Sequence, residues 1–266
     1  MNVYHMSGAG NDFMVMDARG RKVDFSPLAK SLCREFGTDG FMAVDTSEIA
    51  DFRLHFYNAD GSRGEMCGNG ARCICRFAHM QGIAGEEMTV ETDAGIVYGW
   101  HLSEETYRVR LNNPGIVDLH RKGDTAYVEL GDPGIPHCVT RVPGLEFSQR
   151  EKLLALARDL RYDPVFPKGV NVNFYDWLGE NTVRILTYER GVEDYTLACG
   201  TGSASVAVVL WLMGQLPGGY LRLENPGGVL QVTVEGEEKI QKIFLEGPTK
   251  IEKIHTIDIY RLFSTF

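Results

Sequence analysis

The sequence predicts an α+β protein of two pseudo-symmetric domains, each a mainly antiparallel sheet wrapped around a central helix. Three observations support this fold class. Short segments that alternate polar and apolar residues and end in Asn, Asp, Gly or Pro dominate the chain, as half-buried antiparallel strands do. Helix-like segments are few. A cysteine-glycine motif opens a helix-like run in each half, as Cys-Gly-Asn-Gly at 67–70 and Cys-Gly-Thr-Gly at 199–202.

Four helices are expected from apolar periodicity and start signals. They cover residues 26–36, 68–81, 148–160 and 200–214. Ser26 followed by Pro27 is the expected N-cap of the first helix. Ser148 with Glu151 fits a capping box at the start of the third. The second and fourth helices each follow one of the repeated cysteines.

The order of elements repeats along the chain, and 266 residues suit two domains of ordinary size. Residues 113–124, rich in Gly, Pro and charge, are the predicted linker. We therefore expect an N-terminal domain over 1–117, to which 250–266 return, and a C-terminal domain over 118–249. A cleft between two such domains is the expected place for a site.

The amino-acid composition argues against some classes of binding partner. The formal net charge is −9, from 27 Lys and Arg against 36 Asp and Glu, which argues against nucleic acid and anionic membranes because both bind basic surfaces. The first residues lack the basic and long apolar regions of a signal peptide, and no segment reaches the ~18 apolar residues of a membrane span. The sequence thus predicts a cytoplasmic protein with reduced cysteines.

The repeated cysteines carry the chemistry. Backbone N–H groups at a helix start lower the pKa of a thiol and bind anions, and flanking glycines let the backbone approach a ligand. Two thiols on opposite faces of an α-carbon would let a thiolate remove its proton while a thiol returns one. One such cysteine alone is more often a packed residue. The cysteine spacings match no common zinc pattern, so no metal is expected.

Five longer motifs make the resemblance specific: MSGAGNDF, NADGSRGEMCGNGARC, GIPHCV, GVNVNF and YERGVEDYTLACGTG. In this order they resemble the diaminopimelate epimerase family, from residue 5 to residue 207, and the rest of the chain is compatible. The resemblance implies an isomerase that interconverts LL- and meso-diaminopimelate for lysine and peptidoglycan synthesis. It further implies an amino-acid substrate, no cofactor and a homodimer.

The same resemblance implies roles for individual residues. Cys67 and Cys199 would be the acid/base pair, and His137 and Glu189 would tune them. The substrate contacts would come from Asn11, Asn58, Gly68, Asn69, Asn171, Glu189, Arg190, Gly200 and Thr201. Among these, Arg190 suits a carboxylate and Glu189 an ammonium group.

The sequence departs from the family pattern at two positions. Ile135 stands where many members have Asn, and Gly40 where some have Gln. Both positions concern substrate fit more than proton transfer, so a related racemase of another amino acid stays open as an alternative. A second alternative is a ligand-binding protein whose two cysteines form a switchable disulfide.

Overall fold

The structure is a computed structural model that describes residues 1–21, 23–64 and 67–257. The chain divides into two compact units. The first comprises Met1–Val109 and the segment that begins at Gly247, and the second comprises Arg110–Glu246. Residues 258–266, which the sequence assigns to the first domain, lie outside the described residues.

The elements follow one another in a repeated order. The first unit contains β1 (Asn2–Gly8), β2 (Asn11–Asp17), α1 (Phe25–Phe36), β3 (Gly40–Asp45), β4 (Phe52–Asn58), α2 (Gly68–Met80), β5 (Glu87–Thr92), β6 (Gly95–His101) and β7 (Thr106–Leu111). The second contains β8 (Pro114–Lys122), β9 (Thr125–Gly131), β10 (Gly134–Arg141), α3 (Arg150–Arg161), β11 (Asn171–Gly179), β12 (Thr182–Glu189), β13 (Asp194–Tyr195), α4 (Gly200–Leu212), β14 (Tyr220–Asn225), β15 (Gly228–Gly236) and β16 (Ile240–Pro248). Strand β17 (Lys250–Thr256) belongs to the first unit. The division between the units falls within β7 and within β16.

Strand pairing in the first unit is mainly antiparallel. The order is β17, β1, β2, β3, β4, β5, β6, β7. Only the pairs that flank a helix in sequence, β2 with β3 across α1 and β4 with β5 across α2, are parallel. A parallel pair needs a crossover connection, which is what the helices supply.

The second unit repeats this pattern strand for strand. The order is β8, β9, β10, β11, β12, β14, β15, β16, and the short β13 pairs with the end of β12 on the same edge as β14. Its parallel pairs are β10 with β11 across α3, and β12 with β14 across α4. The predicted α+β class and its internal repeat are therefore confirmed.

The helices that follow the two cysteines are the central ones. Every residue from Gly68 to Ala78 of α2 is buried, and α2 packs on β1, β2, β3 and β6. In α4 the run Gly202–Leu210 is buried, and α4 packs on β9, β10, β11, β14 and β15. A helix buried on all sides occupies a core, so each motif cysteine begins the core helix of its unit.

Two helix starts differ from the predictions. The N-cap of α1 is Asp24, whose carboxylate accepts from the backbone N–H of Ser26. The capping box of the third helical segment joins Glu146 and Gln149 around a 3-10 turn, two residues before the predicted Ser148. In both places the acidic side chain, a stronger acceptor for a helix N–H, lies two residues upstream of the serine.

The segment predicted as a linker, residues 113–124, is mostly a β-strand in the structure. Residues 114–122 form β8, an antiparallel partner of β9. Most of its side chains are exposed or half-buried, as in an edge strand, and this exposure explains why its composition resembles that of a linker. Among the described residues, no helix has the length and apolar character needed to cross a bilayer.

Candidate active site

In the first unit, Cys67 is the N-cap of α2. Its backbone is extended (φ −99°, ψ 153°) and its Sγ accepts the N–H of Gly70 at 3.2 Å. Its carbonyl accepts the N–H of Ala71 at 2.9 Å, which begins the helical hydrogen bonding. The thiol is half-buried.

In the second unit, Cys199 is the N-cap of α4 in the same way. Its Sγ accepts the N–H of Gly202 at 3.3 Å and its carbonyl accepts that of Ser203 at 2.9 Å. The hydroxyl of Thr201 lies 3.5 Å from the same Sγ. Both sulfur atoms therefore take part in N-capping, where N–H donors and the helix dipole stabilise a thiolate.

The residues that follow each cysteine contribute the first backbone N–H groups of the helix. Gly68 and Asn69 follow Cys67, and Gly200 and Thr201 follow Cys199. The N–H groups of the first helical turn have no acceptor within the helix, and they form a recurrent binding site for carboxylates. The four residues predicted to bind a substrate carboxylate thus occupy the positions that this chemistry needs.

The surroundings of the two helix starts differ. Beneath Gly70 lie apolar side chains: a Cβ built there would be 3.5 Å from Sδ of Met42 and 3.5 Å from the ring of Phe13. The ring of Phe13 also packs edge-on against that of Phe56 at 6.1 Å.

Beneath Gly202 the equivalent strands present polar groups. A Cβ there would be 3.2 Å from Oγ1 of Thr187 and would clash with Oδ1 of Asn173. His137 adjoins them, since Nδ2 of Asn173 lies 3.2 Å from its Nδ1. Strand register makes His137, Asn173 and Thr187 the counterparts of Phe13, Met42 and Phe56.

The hydrogen bonds of Asn173 define the tautomer of His137. Nδ2 of Asn173 donates to the carbonyl of Cys138 at 2.9 Å, and Oδ1 accepts from the hydroxyl of Thr187 at 3.0 Å. The amide therefore turns its NH₂ toward His137, whose Nδ1 must accept. The proton of the neutral ring then resides on Nε2, which is buried and has no partner among the described residues. Complete burial lowers the pKa of His137 to about 3, so the ring is neutral near pH 7.

Asn11 and Asn69 form a chain of side-chain contacts in the first unit. Nδ2 of Asn69 donates to Oδ1 of Asn11 at 2.7 Å, and Nδ2 of Asn11 donates to Asp39 at 3.1 Å. Oδ1 of Asn69 accepts from Arg72 at 2.9 Å. Asn69 is buried and Asn11 half-buried, so these amides hold the first turn of α2 against the start of β2.

The residues predicted to hold the far end of the substrate are grouped at one edge of the second unit. Asn171, the first residue of β11, donates to the carbonyl of Pro136 at 3.0 Å and accepts the backbone N–H of Arg190 at 2.8 Å. Arg190 is exposed, and its guanidinium donates to the carbonyl of Lys168 at 2.9 Å. Glu189 is the half-buried last residue of β12. Asn171 thus positions the turn that carries Arg190.

Asn58, the remaining predicted contact, ends β4 in the first unit. It is exposed and donates to the hydroxyl of Ser62 at 3.0 Å. The two departures from the family pattern lie in different units, Gly40 in the first and Ile135 in the second. Gly40 pairs with Asn58, and a Cβ there would come within 2.9 Å of the ring of Phe56 and of the carbonyl of Tyr57. A glutamine at position 40 would therefore displace Phe56. Ile135 is half-buried in β10 and pairs with Leu130.

Sequence reasoning missed three buried polar residues, Asn173, Thr187 and Arg72. A signal for Asn173 was present, because Asn171 and Asn173 alternate on one strand and so share a face. Arg72 is a cation within an otherwise uncharged and buried helical turn. The other cysteines, Cys33, Cys73, Cys75 and Cys138, are buried, and burial raises the pKa of each thiol. No group of three or more His, Cys, Asp or Glu in the described part of the chain has a metal-binding arrangement.

Comparison with known proteins finds matches over most of the chain. A family model described as diaminopimelate epimerase matches residues 3–115 and 131–251. The diaminopimelate epimerase of Aquifex aeolicus is 33% identical over 267 residues, covering 93% of this chain and 94% of that protein. That of Chlorobaculum tepidum is 34% identical over 252 residues, covering 92% and 96%.

Solved structures share the fold at low identity. A PhzF-family phenazine biosynthesis protein of Bacillus anthracis superimposes with a TM-score of 0.73 at 17% identity, covering 97% of this chain and 99% of that one. A hydroxyproline epimerase of Agrobacterium vitis gives a TM-score of 0.68 at 17% identity, covering 97% and 90%.

The repeated fold, the capping cysteines and these relatives define an epimerase, an isomerase that inverts one stereocentre. A family model that covers most of the chain and relatives of about one-third identity identify the family. The chain belongs to the diaminopimelate epimerase family.

Proposed function

We propose that the protein interconverts LL- and meso-diaminopimelate by moving a proton at one α-carbon between Cys67 and Cys199. The observation that supports this most is the repeated cap: each thiol accepts the third helical N–H of a buried helix, at 3.2 and 3.3 Å. The same placement of two thiols in two repeated units suits a reaction that needs one acid and one base. The proposal requires both thiols to reach one α-carbon.

The proton balance of the step is simple. One thiolate takes the α-proton and becomes a thiol. The electron pair of the broken C–H bond delocalises into the adjacent carboxylate, and the second thiol protonates the opposite face of the carbon and becomes a thiolate. No electron leaves the substrate, so the step needs no oxidant. The reverse reaction exchanges the two roles.

Helix N-termini support the charge that develops. In this proposal, the amides of Gly68 and Asn69, and of Gly200 and Thr201, hold the carboxylate next to the reacting carbon. Donors aimed at the enediolate lower the barrier because its charge is greater in the transition state than in the substrate. We further propose that the neutral His137 contributes its Nε2–H as a donor on the Cys199 side.

A second amino-acid head distinguishes diaminopimelate from simpler substrates. We assign its carboxylate to Arg190 and its ammonium group to Glu189, with Asn58 as a further contact and Asn171 as the support of Arg190. The exposed guanidinium and the adjacent carboxylate offer the two charges that a zwitterionic head requires. A homodimer, a cytoplasmic location and catalysis without a cofactor, all expected from the sequence, belong to the same proposal.

The test is incorporation of solvent deuterium. Reduced protein is incubated with LL-diaminopimelate in deuterated water, and label at the α-carbon and formation of the meso isomer are followed together. We expect both in the wild type and no meso isomer in Cys67→Ala or Cys199→Ala. Cys138→Ala is the matched control, because this thiol is buried and caps no helix.

Each alternative has a distinct outcome. Exchange with another amino acid and not with diaminopimelate would replace the proposal by a racemase of that amino acid. Absence of exchange with any amino acid, together with a disulfide that forms reversibly between the two cysteines, would identify a redox-switched binding protein. Full activity of either alanine variant would exclude the two-thiol mechanism.

A further inference from the structure

Arg72 is a completely buried cation in the second turn of α2. Its relative exposure is 0%. The guanidinium reaches back to the first helical turn, where it donates to the carbonyl of Gly68 at 3.2 Å and to Oδ1 of Asn69 at 2.9 Å. Among the described residues, its Nε has no hydrogen-bond partner and no carboxylate forms an ion pair with the guanidinium.

Such an arrangement is electrostatically unbalanced. A buried charge is strongly unfavourable unless an opposite charge accompanies it. The N-terminus of a helix adds partial positive charge at the same place, so a cation there is repelled as well. Burial lowers the pKa of Arg72 to about 10, so the guanidinium still carries its charge at neutral pH. A negative group is therefore needed near the start of α2.

The neighbouring acidic groups do not occupy this position. Asp39 is separated from the guanidinium by the amides of Asn11 and Asn69, and the carboxylate of Asp12 lies 3.5 Å from Nε2 of His5. Burial raises the pKa of the Cys73 thiol to about 12, which keeps it protonated.

Among the described residues, Cys67 is the remaining acidic group at this turn. It adjoins Gly68, whose carbonyl the guanidinium contacts, and its Sγ already accepts a helix N–H. It is also the only one of the cysteines on α2 that is not fully enclosed, since Cys73 and Cys75 are buried. A thiolate at Cys67 would complete the charge balance that Arg72 requires.

The second unit lacks this cation. Five residues beyond Cys67 stands Arg72, and five residues beyond Cys199 stands Ala204. The buried ring beneath α4, His137, is neutral because burial lowers its pKa to about 3. Two charged side chains follow one another at the end of β12, the half-buried Glu189 and the exposed Arg190, and their charges are of opposite sign.

We propose that Arg72 is a positioning residue whose buried charge holds Cys67 as the thiolate of the substrate-free enzyme, while Cys199 rests as the thiol. The proposal rests on the two-thiol function above. It assigns a direction to the resting enzyme: Cys67 removes the first α-proton and Cys199 supplies the first proton to the opposite face. After each inversion, Arg72 favours return of the pair to the starting charge state.

The test measures the two thiols without substrate. Reduced protein is alkylated with iodoacetamide at a series of pH values, and the rates at Cys67 and Cys199 are determined separately by peptide mass spectrometry. In the wild type, we expect Cys67 to titrate at a lower pH than Cys199. In Arg72→Met, the pKa of Cys67 should rise by about 1 to 3 units, the effect of removing a nearby opposite charge, and Arg72→Lys should restore part of the shift.

Arg76→Met is the matched control. Arg76 lies one turn further along α2, is also buried, and donates to the carbonyl of Thr249 rather than to the first turn. Its removal deletes the same charge from the same helix and should leave the profile of Cys67 within about 0.5 unit.

Three results would overturn the proposal. One is a wild-type profile in which Cys199 titrates below Cys67, which is decisive even if Arg72→Met does not fold. Another is a folded Arg72→Met protein with an unchanged Cys67 profile. A third is a shift that maps to Cys73 rather than Cys67. Since no substrate is present, these results stay distinguishable from a failure of deuterium exchange with diaminopimelate, which would overturn the function and leave the titration unchanged.

Discussion

The hydroxyl of Thr187 donates to Oδ1 of Asn173 at 3.0 Å, deep beneath the start of α4. This contact fixes the orientation of the Asn173 amide, and the amide in turn fixes which nitrogen of His137 carries the proton. In the first unit the equivalent strands carry Phe56, Met42 and Phe13, which make no such chain. The repeated scaffold therefore supports a polar network under one cysteine and an apolar cluster under the other.

Thr187→Val removes the hydroxyl at nearly constant volume. Because Oδ1 of Asn173 then stays buried without a donor, we expect the free energy of unfolding in urea to fall by about 1–3 kcal/mol. The rate of α-proton exchange should fall as well, since the amide no longer holds His137 in one tautomer. The tautomer itself can be followed by ¹⁵N NMR of the imidazole ring.

Thr196→Val is the matched control for this variant. The hydroxyl of Thr196 is also enclosed but has no hydrogen-bond partner among the described residues. Its removal should change the unfolding free energy by no more than about 0.5 kcal/mol. Equal losses in the two variants would show that the Thr187–Asn173 contact has no special importance.

The lowered pKa of His137 leads to a prediction for how the free energy of unfolding depends on pH. The folded pKa of about 3 lies below the ordinary value of 6.5, so the unfolded chain binds one more proton than the folded protein between these values. The contribution of the buried neutral ring is therefore complete above about pH 6.5 and is lost as the pH falls.

The measurement is the urea unfolding free energy of the wild type and of His137→Gln below about pH 6. The wild-type value should fall more steeply, by about 1.4 kcal/mol per pH unit for one proton. Parallel pH profiles would mean that His137 is protonated in the folded protein. The inferred role as an Nε2–H donor from a neutral ring would then be wrong.

Substitution of alanine for Gly70 or for Gly202 should affect stability differently. Gly202→Ala places a methyl group against Oδ1 of Asn173, whereas Gly70→Ala places one at ordinary contact distance, 3.5 Å, from Met42 and Phe13. We expect Gly202→Ala to lower the unfolding free energy by about 1–3 kcal/mol, as overpacking does. Gly70→Ala should fold with nearly unchanged stability.

Activity provides the second measurement for this pair. The methyl group of Gly70→Ala would lie 3.3 Å from Sγ of Cys67, so proton exchange should slow even though the protein stays folded. A stable and fully active Gly202→Ala protein would contradict the packing described beneath α4.

Much of the fold could be predicted from the sequence because its signals are local. Strand alternation, the few helices and the repeated Cys-Gly motif gave the α+β class and the two central helices, and α2 and α4 begin at the predicted residues. Edge strand β8 was mistaken for a linker, because exposed strands and linkers have the same polar composition.

The candidate site was predictable only in part. The two cysteine-glycine motifs can be recognised from their repeated sequence, and the family motifs indicate Asn171 and Arg190 as substrate contacts. Asn173, Thr187 and Arg72 act through partners on other strands or turns, and such pairings depend on strand register rather than on any short motif. The roles of the predicted residues stay predictions until the experiments above are done.

Arg190 provides the last prediction, which concerns substrate recognition. Its backbone N–H donates to Asn171 and its guanidinium donates to the carbonyl of Lys168. The guanidinium is therefore held in position at the surface, and it takes no part in the core. Arg190→Gln should therefore keep the unfolding free energy within about 0.5 kcal/mol. It should raise KM for diaminopimelate about tenfold or more, because a charge-assisted hydrogen bond to the distal carboxylate is lost.

The effect should fall mainly on KM, since the distal head contributes the same contact in the ground state and the transition state. Arg222→Gln is the matched control, because Arg222 also lies in the second unit and pairs with Glu224 on the surface. It should leave both kcat and KM unchanged. An unchanged KM in Arg190→Gln would assign Arg190 to the turn alone. A loss confined to kcat would instead place Arg190 at the reacting head, where its charge would stabilise the enediolate rather than the distal carboxylate.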